Sequence, residues 1–219
     1  MNYSYEQNLI SRGFPFICGI DEAGRGPLAG PLVAGAVILD PTKNDFFDLI
    51  NDSKLLKGAK RLKAYEQIVH GARCWAVGVA SSYEIDKHGL SFANKIAMKR
   101  AWKHLPIKPN YILSDYMAKL YFETPFELII DGDAKIISVA AASIIAKVFR
   151  DRMMEAFARR FPAYGFEQHK GYGTKKHIEK ITQFGPCPIH RMSFAPLKPS
   201  SFDAHFKSDD APAPTHEYR

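Results

Sequence analysis

Cysteine is scarce in this chain: its 219 residues include three, Cys18, Cys74 and Cys187, and no two of them form a Cys-x-x-Cys pair. This spacing excludes a zinc knuckle and gives no disulfide framework, so we expect free thiols in a reducing cytoplasm. The sequence also lacks the basic and apolar leader of a secreted protein. The run nearest to a membrane span, 136–146, is soon interrupted by lysine and arginine. These absences predict a cytoplasmic protein without a membrane segment.

Internal repeats and low-complexity linkers are absent from the first 195 or so residues, and the eight histidines show no metalloprotease spacing. Hydrophobic residues make up 46% of the chain and aromatic residues 12%, which is enough for a substantial core. We therefore predict one domain over residues 1–199 and a disordered tail over 200–219. The net charge of +7 and the sequence pI of about 9.2 favour a polyanionic partner.

The apolar patterning predicts an α/β domain. Phe16–Glu22 and Pro31–Leu39 are typical of two strands joined as a hairpin. The later segments alternate between strand patterns and helical patterns, with strands at 74–80, 111–114 and 126–130 and helices at 60–70, 91–104, 136–161 and 176–184. Strands first, followed by strands alternating with helices, indicate a mixed central sheet flanked by helices.

Four acidic residues stand at the ends of these elements. Asp21 and Glu22 end the first strand, just before Gly24-Arg25-Gly26, Asp115 follows a later strand, and Asp133 precedes the longest helix. Each has an ordinary alternative role as a solvated turn residue or as a helix cap. Neighbouring residues on a strand point to opposite faces, so we expect the flanking glycines to bend the strand and bring both acids to one side.

Together the four acids favour a metal site. Carboxylates from separate strand ends and a helix start can converge into an oxygen-rich site for Mg²⁺ or Mn²⁺. Two such ions suit phosphodiester hydrolysis, since one acidifies the attacking water and the other stabilises the departing oxygen. The pattern predicts a metal-dependent hydrolase, and no serine or cysteine nucleophile is needed.

The chain resembles the ribonuclease HII family in five blocks, which occur in the family's order between about residues 16 and 197. The first block is the long Gly-rich strand pair that contains both Asp21 and Gly24-Arg25-Gly26. The others are Asp52-Ser53-Lys54, Gly132-Asp133 with the helix that follows, His169-Lys170-Gly171-Tyr172-Gly173-Thr174, and His190-Arg191-Met192-Ser193-Phe194.

The resemblance implies a ribonuclease H-like fold with a helical C-terminal portion. It also implies that Asp21, Glu22, Asp115 and Asp133 form a catalytic tetrad that binds Mn²⁺ or Mg²⁺. The activity implied is that of a monomeric endoribonuclease, which cuts the RNA strand of RNA–DNA hybrids. It also cuts on the 5′ side of single ribonucleotides in duplex DNA, leaving a 3′-hydroxyl and a 5′-phosphate.

For the substrate, the resemblance implies that the backbone of Gly24, Arg25 and Gly26 contacts the 2′-hydroxyl, the group that distinguishes RNA from DNA. Tyr172 would pack against the sugar on the 3′ side of the junction. Further residues in the matched blocks are predicted to bind the substrate backbone, unless they are solvated charges or structural ion pairs: Ser53, Lys54, Lys147, Arg150, Lys170 and Arg191.

Three departures from the family pattern leave details open. Asp131 puts a second acid beside Gly132, and alignment favours Asp133 as the ligand. Tyr116 follows Asp115 where glycine is common, and leucines follow Lys54 where a lysine is customary.

Three other functions remain as alternatives. They are a catalytically silent hybrid-binding protein of the same fold, another ribonuclease H-like nuclease such as a resolvase or a ribonuclease HIII, and an unrelated Mg²⁺-dependent phosphatase. Clustered acids repel nucleic acid unless metal is bound, which argues against the first. A ribonuclease HIII carries an extra N-terminal domain, which we do not expect in the few residues before Phe16.

Overall fold

A computed structural model of the chain describes residues 1–51, 53, 56, 58–115, 117 and 120–198. Lys54 and Tyr116, and the predicted disordered tail 200–219, lie outside the described residues. No helix within the described ranges is both long and apolar enough to cross a membrane.

The described chain forms five strands and eight α-helices. The strands are β1 (Ile17–Ala23), β2 (Leu32–Ile38), β3 (Cys74–Ala80), β4 (Tyr111–Asp115) and β5 (Phe126–Ile129). The helices are α1 (Ser4–Ser11), α2 (Gly58–Gly71), α3 (Ser82–His88), α4 (Leu90–His104), α5 (Gly132–Lys135), α6 (Ile137–Arg160), α7 (Phe166–His169) and α8 (Lys175–Phe184). Short 3₁₀ turns lie at Phe47–Leu49 and Pro162–Tyr164.

The strands form one sheet in the order β3-β2-β1-β4-β5. The hairpin of β1 and β2 is antiparallel, as is the pairing of β2 with β3, whereas β1, β4 and β5 run parallel. This arrangement confirms the prediction of a mixed sheet flanked by helices. The strand predicted at 74–80 has the same bounds in the structure. Each of the other predicted elements differs from the observed element by one or two residues at an end.

Helices cover both faces of the sheet because side chains alternate along each strand. Ile20, Leu32 and Ala36 face a core shared with α4, whereas Val37 faces a second core shared with α2 and α6. The helix α6 lies very close to the sheet. A Cβ at Gly35 would come within 2.3 Å of the carbonyl oxygen of Ala142, so this position excludes any larger side chain.

Four helices of the structure were not predicted, namely α1, α3 and the four-residue helices α5 and α7. The helix α3 begins with a capping box, in which the Ser81 hydroxyl accepts from the Glu84 N–H and the Glu84 carboxylate accepts from the Ser81 N–H. The spacing Ser-x-x-Glu is a known sign of a helix start and was available in the sequence. The helix α1 has a weaker pattern, and Leu9 is its main contribution to a core.

Candidate active site

The sheet register brings three of the predicted acids to one edge. β1 and β4 are parallel, with Ile20 opposite Ser114. Asp21 and Glu22, near the end of β1, therefore lie beside Asp115 at the end of β4. Asp133 lies in α5, the turn of helix that follows β5. All four carboxylates line one cavity of about 320 Å³. The same cavity is lined by further residues, of which Ala23, Arg61 and Ser143 were not predicted: Ala23, Gly24, Arg25, Gly26, Ser53, Arg61, Ser143, Lys147 and Tyr172.

Asp21 is buried, with 5% of its surface exposed, and it interacts with the Ser143 hydroxyl on α6. Burial raises the pKa of Asp21 well above its ordinary value, and the negative charge of Glu22 adds to this effect. The hydrogen bond from Ser143 acts in the opposite direction. A nearby cation would therefore stabilise the ionised form of Asp21.

Glu22 reaches the cavity from the other face of the sheet. It interacts with Asn94 on α4 and with Arg25, whose Nη1 lies 3.4 Å from its Oε1. Burial raises the pKa of Glu22, and both neighbours lower it. The side chain of Asn94 is buried at 1% exposure, and neither of its amide atoms completes a hydrogen bond of regular geometry with a described residue. Asn94 is thus a close neighbour of Glu22 rather than a firm hydrogen-bond partner.

The predicted bend at the two acids was wrong. Asp21 pairs with Gly35 and Glu22 with Ala34 in an unbroken antiparallel register. The chain turns one residue after the strand, at Gly24, whose φ of +100° suits glycine. The two acids therefore enter the cavity from opposite sides of the end of β1, because the alternation of the strand is kept.

A hydrogen bond joins Asp115 to the segment that carries Asp133. Oδ1 of Asp115 accepts from the backbone N–H of Gly132 at 2.9 Å. Asp133 is 4% exposed and lines the cavity. Asp131 instead has a left-handed backbone and a 73% exposed side chain, 3.8 Å from Lys135. Of the two acids beside Gly132, it is Asp133 that faces the cavity.

The chemistry of these donors fits a divalent cation. Carboxylate oxygens are the ligands that Mg²⁺ and Mn²⁺ prefer, and a bound cation would stabilise the ionised forms of Asp21 and Glu22, whose pKa values burial raises. Within the described part of the chain, no three acidic, histidine or cysteine side chains are close enough to hold an ion as they stand. The side chains must therefore converge further for an ion to bind.

Arg191 donates hydrogen bonds to the backbone of residues 24–26, which we call the Gly24–Gly26 loop. This side chain is fully buried, and its guanidinium donates to the carbonyls of Gly24 at 2.6 Å, Arg25 at 2.9 Å and Gly30 at 3.0 Å. A guanidinium with this burial and these partners does not face a phosphate. The prediction that Arg191 contacts the substrate backbone is therefore wrong for this conformation, and its contacts are with the loop.

Arg150 was also predicted to contact phosphate, and the structure places it in the interior. It is fully buried, with Nε donating to Pro31 at 2.9 Å, Nη2 to Ala29 at 3.1 Å and Nη1 to Lys170 at 3.0 Å, in each case to the carbonyl. Burial lowers the pKa of Arg150, yet a guanidinium stays charged at neutral pH. This charge is satisfied by backbone oxygens, so the predicted phosphate contact is again wrong.

The two lysines differ in their position relative to the cavity. Lys147 lines it, pairs with Asp151 at 2.7 Å and lies 5.9 Å from the centre of the Tyr172 ring. Lys170 does not line it, because its Nζ is 2.7 Å from both the Glu155 carboxylate and the Glu167 carbonyl. Lys147 is thus the better placed of the two to meet a phosphate.

Tyr172 presents its ring at the cavity, with 44% of its surface exposed, while its backbone is fixed. Its carbonyl accepts from the Thr174 N–H at 2.8 Å and lies 2.9 Å from Nδ1 of His177. His177 in turn lies 3.1 Å from His190, Nε2 to Nε2. Burial lowers the pKa of both histidines to about 4, so the pair is neutral at pH 7.

Ser53 lies in the cavity wall, and its Oγ is 2.8 Å from Oγ of Ser143. Arg61 holds this segment, since its guanidinium donates to the carbonyls of Ser53 and Leu56 at 2.9 and 2.7 Å. Ser143 could have been found from the sequence, because it and Ser138 are the two polar residues of the apolar run 136–146. No local sign in the sequence marks Arg61 or Asn94.

The fold and the edge site define a ribonuclease H-like nuclease, because acids from neighbouring strand ends of a mixed sheet share one cavity. The solved structure of ribonuclease H2 from Pyrococcus horikoshii has the same architecture, with a TM-score of 0.73 and 29% identity. The match covers 88% of this chain and all of that one.

Sequence comparison narrows this class to a family. The family model for ribonuclease HII matches residues 18–197. The ribonuclease HII of Bacillus licheniformis is 50% identical over 196 residues, which are 89% of this chain and 75% of that relative. The ribonuclease HII of Dehalococcoides mccartyi is 48% identical over 202 residues, covering 92% and 95% of the two chains.

The chain belongs to the ribonuclease HII family. It is accordingly a metal-dependent endoribonuclease of the ribonuclease H type, acting on RNA–DNA hybrids.

Proposed function

We propose that this enzyme cuts on the 5′ side of single ribonucleotides in duplex DNA, as well as within the RNA strand of RNA–DNA hybrids, leaving a 3′-hydroxyl and a 5′-phosphate. The observation that carries the proposal is the shared cavity. Four carboxylates from three parts of the chain line it together with the Gly24–Gly26 loop and Tyr172. We place this activity in residues 1–199 of a monomeric, cytoplasmic protein.

The acids would hold the divalent ions. When two Mg²⁺ or Mn²⁺ ions are bound by Asp21, Glu22, Asp115 and Asp133, they supply a more acidic water and neutralise charge on the leaving oxygen. The protein side chains keep the donors in place. Ser143 lowers the pKa of Asp21 and so favours its ionised form, and the Gly132 N–H fixes one oxygen of Asp115.

The choice of ribonucleotide would come from the loop and the tyrosine. The carbonyls of Gly24 and Arg25 accept from Arg191, so both are engaged away from the cavity. The backbone N–H groups of the loop would bind the 2′-hydroxyl, which a deoxyribonucleotide lacks. The Tyr172 ring would pack against the next sugar on the 3′ side, and Lys147 would meet a phosphate without reading sequence.

The test is cleavage of an end-labelled DNA duplex that contains one ribonucleotide. With Mg²⁺ or Mn²⁺, the wild-type protein should give a single cut on the 5′ side, and ligation or phosphatase treatment should identify a 3′-hydroxyl and a 5′-phosphate. Asp21→Asn should slow this cut by about 1000-fold or more, because it removes one anionic donor of a group that acts as a unit.

Two results contradict the proposal. The first is a wild-type protein that cuts a uniform hybrid and leaves the single ribonucleotide intact. The second is an Asp21→Asn variant as active as the wild type. Tight hybrid binding without any cut by the wild type would favour the silent hybrid-binding alternative instead.

A further inference from the structure

Arg150 lies between the two segments that the proposed function assigns to substrate selection. From the buried side of α6, its guanidinium reaches the β1–β2 connection through the carbonyls of Ala29 and Pro31. Its third hydrogen bond, 3.0 Å long, goes to the carbonyl of Lys170, two residues before Tyr172. One planar group therefore ties together backbones that are about 120 and 20 residues away from it in sequence.

Contacts with the reading groups themselves strengthen this bridge. A Cβ at Gly24 would lie 2.2 Å from Nε of Arg150, so the guanidinium packs directly against the Gly24–Gly26 loop. Its Cζ also lies 5.9 Å from the centre of the Tyr172 ring, within the range of a cation–π contact. Arg150 thus touches both the loop that would read the 2′-hydroxyl and the ring that would meet the next sugar.

Direct backbone pairing accompanies the bridge. The carbonyl of Gly171 accepts from the N–H groups of Leu28 at 2.8 Å and Ala29 at 3.3 Å. Gly171 has a φ of +85°, and a Cβ on it would approach the Ala29 oxygen to 2.4 Å. The two segments therefore share one rigid junction, and Arg150 is the side chain that spans it.

We propose that Arg150 is a positioning residue that sets the distance between the Gly24–Gly26 loop and Tyr172, and so determines how strongly the enzyme prefers a ribonucleotide followed by a deoxyribonucleotide. The proposal rests on the proposed function of those two segments. A ribonucleotide and its 3′ neighbour are adjacent sugars, so the two reading groups must keep a fixed separation to act on one junction.

Arg191 provides a matched control. It is equally buried and also donates three hydrogen bonds to backbone carbonyls, but all three accept on the β1–β2 side, at Gly24, Arg25 and Gly30. Within the described part of the chain, neither guanidinium forms an ion pair with a carboxylate. Lysine keeps the charge at either position but cannot direct three donors along the fixed fork of a guanidinium.

The experiment measures kcat/KM on two duplexes, one with a single ribonucleotide in DNA and one with a uniform RNA strand paired to DNA. The readout is the ratio of the two values, because a general loss of stability lowers both together. Arg150→Lys should lower the ratio by about tenfold or more, since the ring no longer lies at the correct distance from the loop. Arg191→Lys acts on the β1–β2 side alone, and both duplexes carry the 2′-hydroxyl that the loop would meet. It should therefore slow both substrates and leave the ratio much closer to its wild-type value than Arg150→Lys does.

A double variant tests the assigned route. Once Tyr172→Ala has lowered the ratio, adding Arg150→Lys should lower it no further, because both changes act on the same contact. An unchanged ratio in folded Arg150→Lys, or an equal fall in Arg191→Lys, overturns the proposal. Thermal melting by circular dichroism checks folding, and Arg150→Gln, which removes the buried charge, takes the place of a lysine variant that does not fold.

Cleavage by the wild-type protein distinguishes a failure of the proposed function from a failure of the role proposed for Arg150. If it fails to cut at a single ribonucleotide, the proposed function fails. If it cuts there and the Arg150 variants keep its ratio, the proposed function stands and the role of Arg150 is contradicted.

Discussion

The acids at the edge of the sheet (the carboxylate edge) and the two segments proposed to contact the substrate, the Gly24–Gly26 loop and the Tyr172 segment, are held in position by different interactions. Asp21, Glu22 and Asp115 owe their positions to the register of β1 against its neighbours, so sheet hydrogen bonds fix them. The Gly24–Gly26 loop and the Tyr172 segment are outside the sheet, and they are held by the side chains of Arg150 and Arg191. The groups proposed for bond breaking are thus built into the most regular part of the fold, and the groups proposed for substrate selection depend on long-range side-chain donors.

The difference makes the loops the more sensitive of the two regions to a single substitution. Arg191→Met removes the donors to three buried carbonyls, and each unsatisfied buried group costs about 1–3 kcal/mol. Some of this is offset because a buried charge is also removed. We expect a loss of about 3–5 kcal/mol in the free energy of unfolding, measured by urea denaturation. Arg159→Met on the exposed part of α6 is the control and should change it by less than about 0.5 kcal/mol. Equal effects would contradict this account.

The loop region should also be the more sensitive to acid. The folded protein holds His177 and His190 with pKa values near 4, and their ordinary value in the unfolded chain is 6.5. Below pH 6.5 the unfolded state binds more protons, so stability is full above that value and falls as the pH drops toward 4. At about 1.4 kcal/mol for each unit of pKa difference, we expect a loss of about 3 kcal/mol from each histidine over this range.

Denaturation curves at several pH values measure this loss. His177→Gln should flatten the pH dependence, because it removes one of the two titrating groups. A wild-type stability that stays constant between pH 6.5 and 4.5, or a variant with the same slope as the wild type, would show that the pair does not act in this way.

The carboxylate edge has its own weak point where α6 meets the sheet. Gly35 lies opposite Asp21 in the strand register, and Gly35→Ala would place a methyl group about 2.3 Å from the Ala142 oxygen. Overpacking of this kind costs about 1–3 kcal/mol, so we expect a loss of about 2 kcal/mol together with slower cleavage. Gly58→Ala is the control, since nothing lies within 4 Å of its added carbon. A Gly35→Ala protein as stable as that control would contradict the close approach of α6.

The smallest expected effect concerns the hydroxyl pair behind Asp21. Ser143→Ala removes its hydrogen bond to Ser53 and its interaction with Asp21, whereas Ser53→Ala removes the first and spares the second. Each change should cost about 1 kcal/mol of stability. Cleavage should fall further in Ser143→Ala, because only that variant leaves Asp21 unsupported. Equal rates in the two variants would remove Ser143 from the account of the site.

The same contrast explains what could be predicted from the sequence. Acids at strand ends and alternating apolar runs are local signals, so the mixed sheet was predicted, and Asp21, Glu22, Asp115 and Asp133 were expected in one site. The bend expected at Asp21 was wrong because the strand register continues past both acids and the chain turns only at Gly24.

The roles of the buried arginines were missed because their partners are remote. Arg150 and Arg191 occur in basic segments, where a phosphate contact is the natural expectation. Their carbonyl partners in the β1–β2 connection are 119–167 residues away in the chain. No pattern along the sequence connects such atoms, and only the folded junction brings them together.

The central claim, that the carboxylates facing the cavity form the catalytic centre, is tested most directly by the two acids beside Gly132. Asp133 lines the cavity and is buried, whereas Asp131 is exposed and lies near Lys135. The measurement is cleavage of the single-ribonucleotide duplex at saturating Mg²⁺ or Mn²⁺ by Asp133→Asn and Asp131→Asn. We expect the first to lose about 100-fold or more of the wild-type rate and the second to stay close to it. An active Asp133→Asn protein, or an equal loss in both, would contradict the claim.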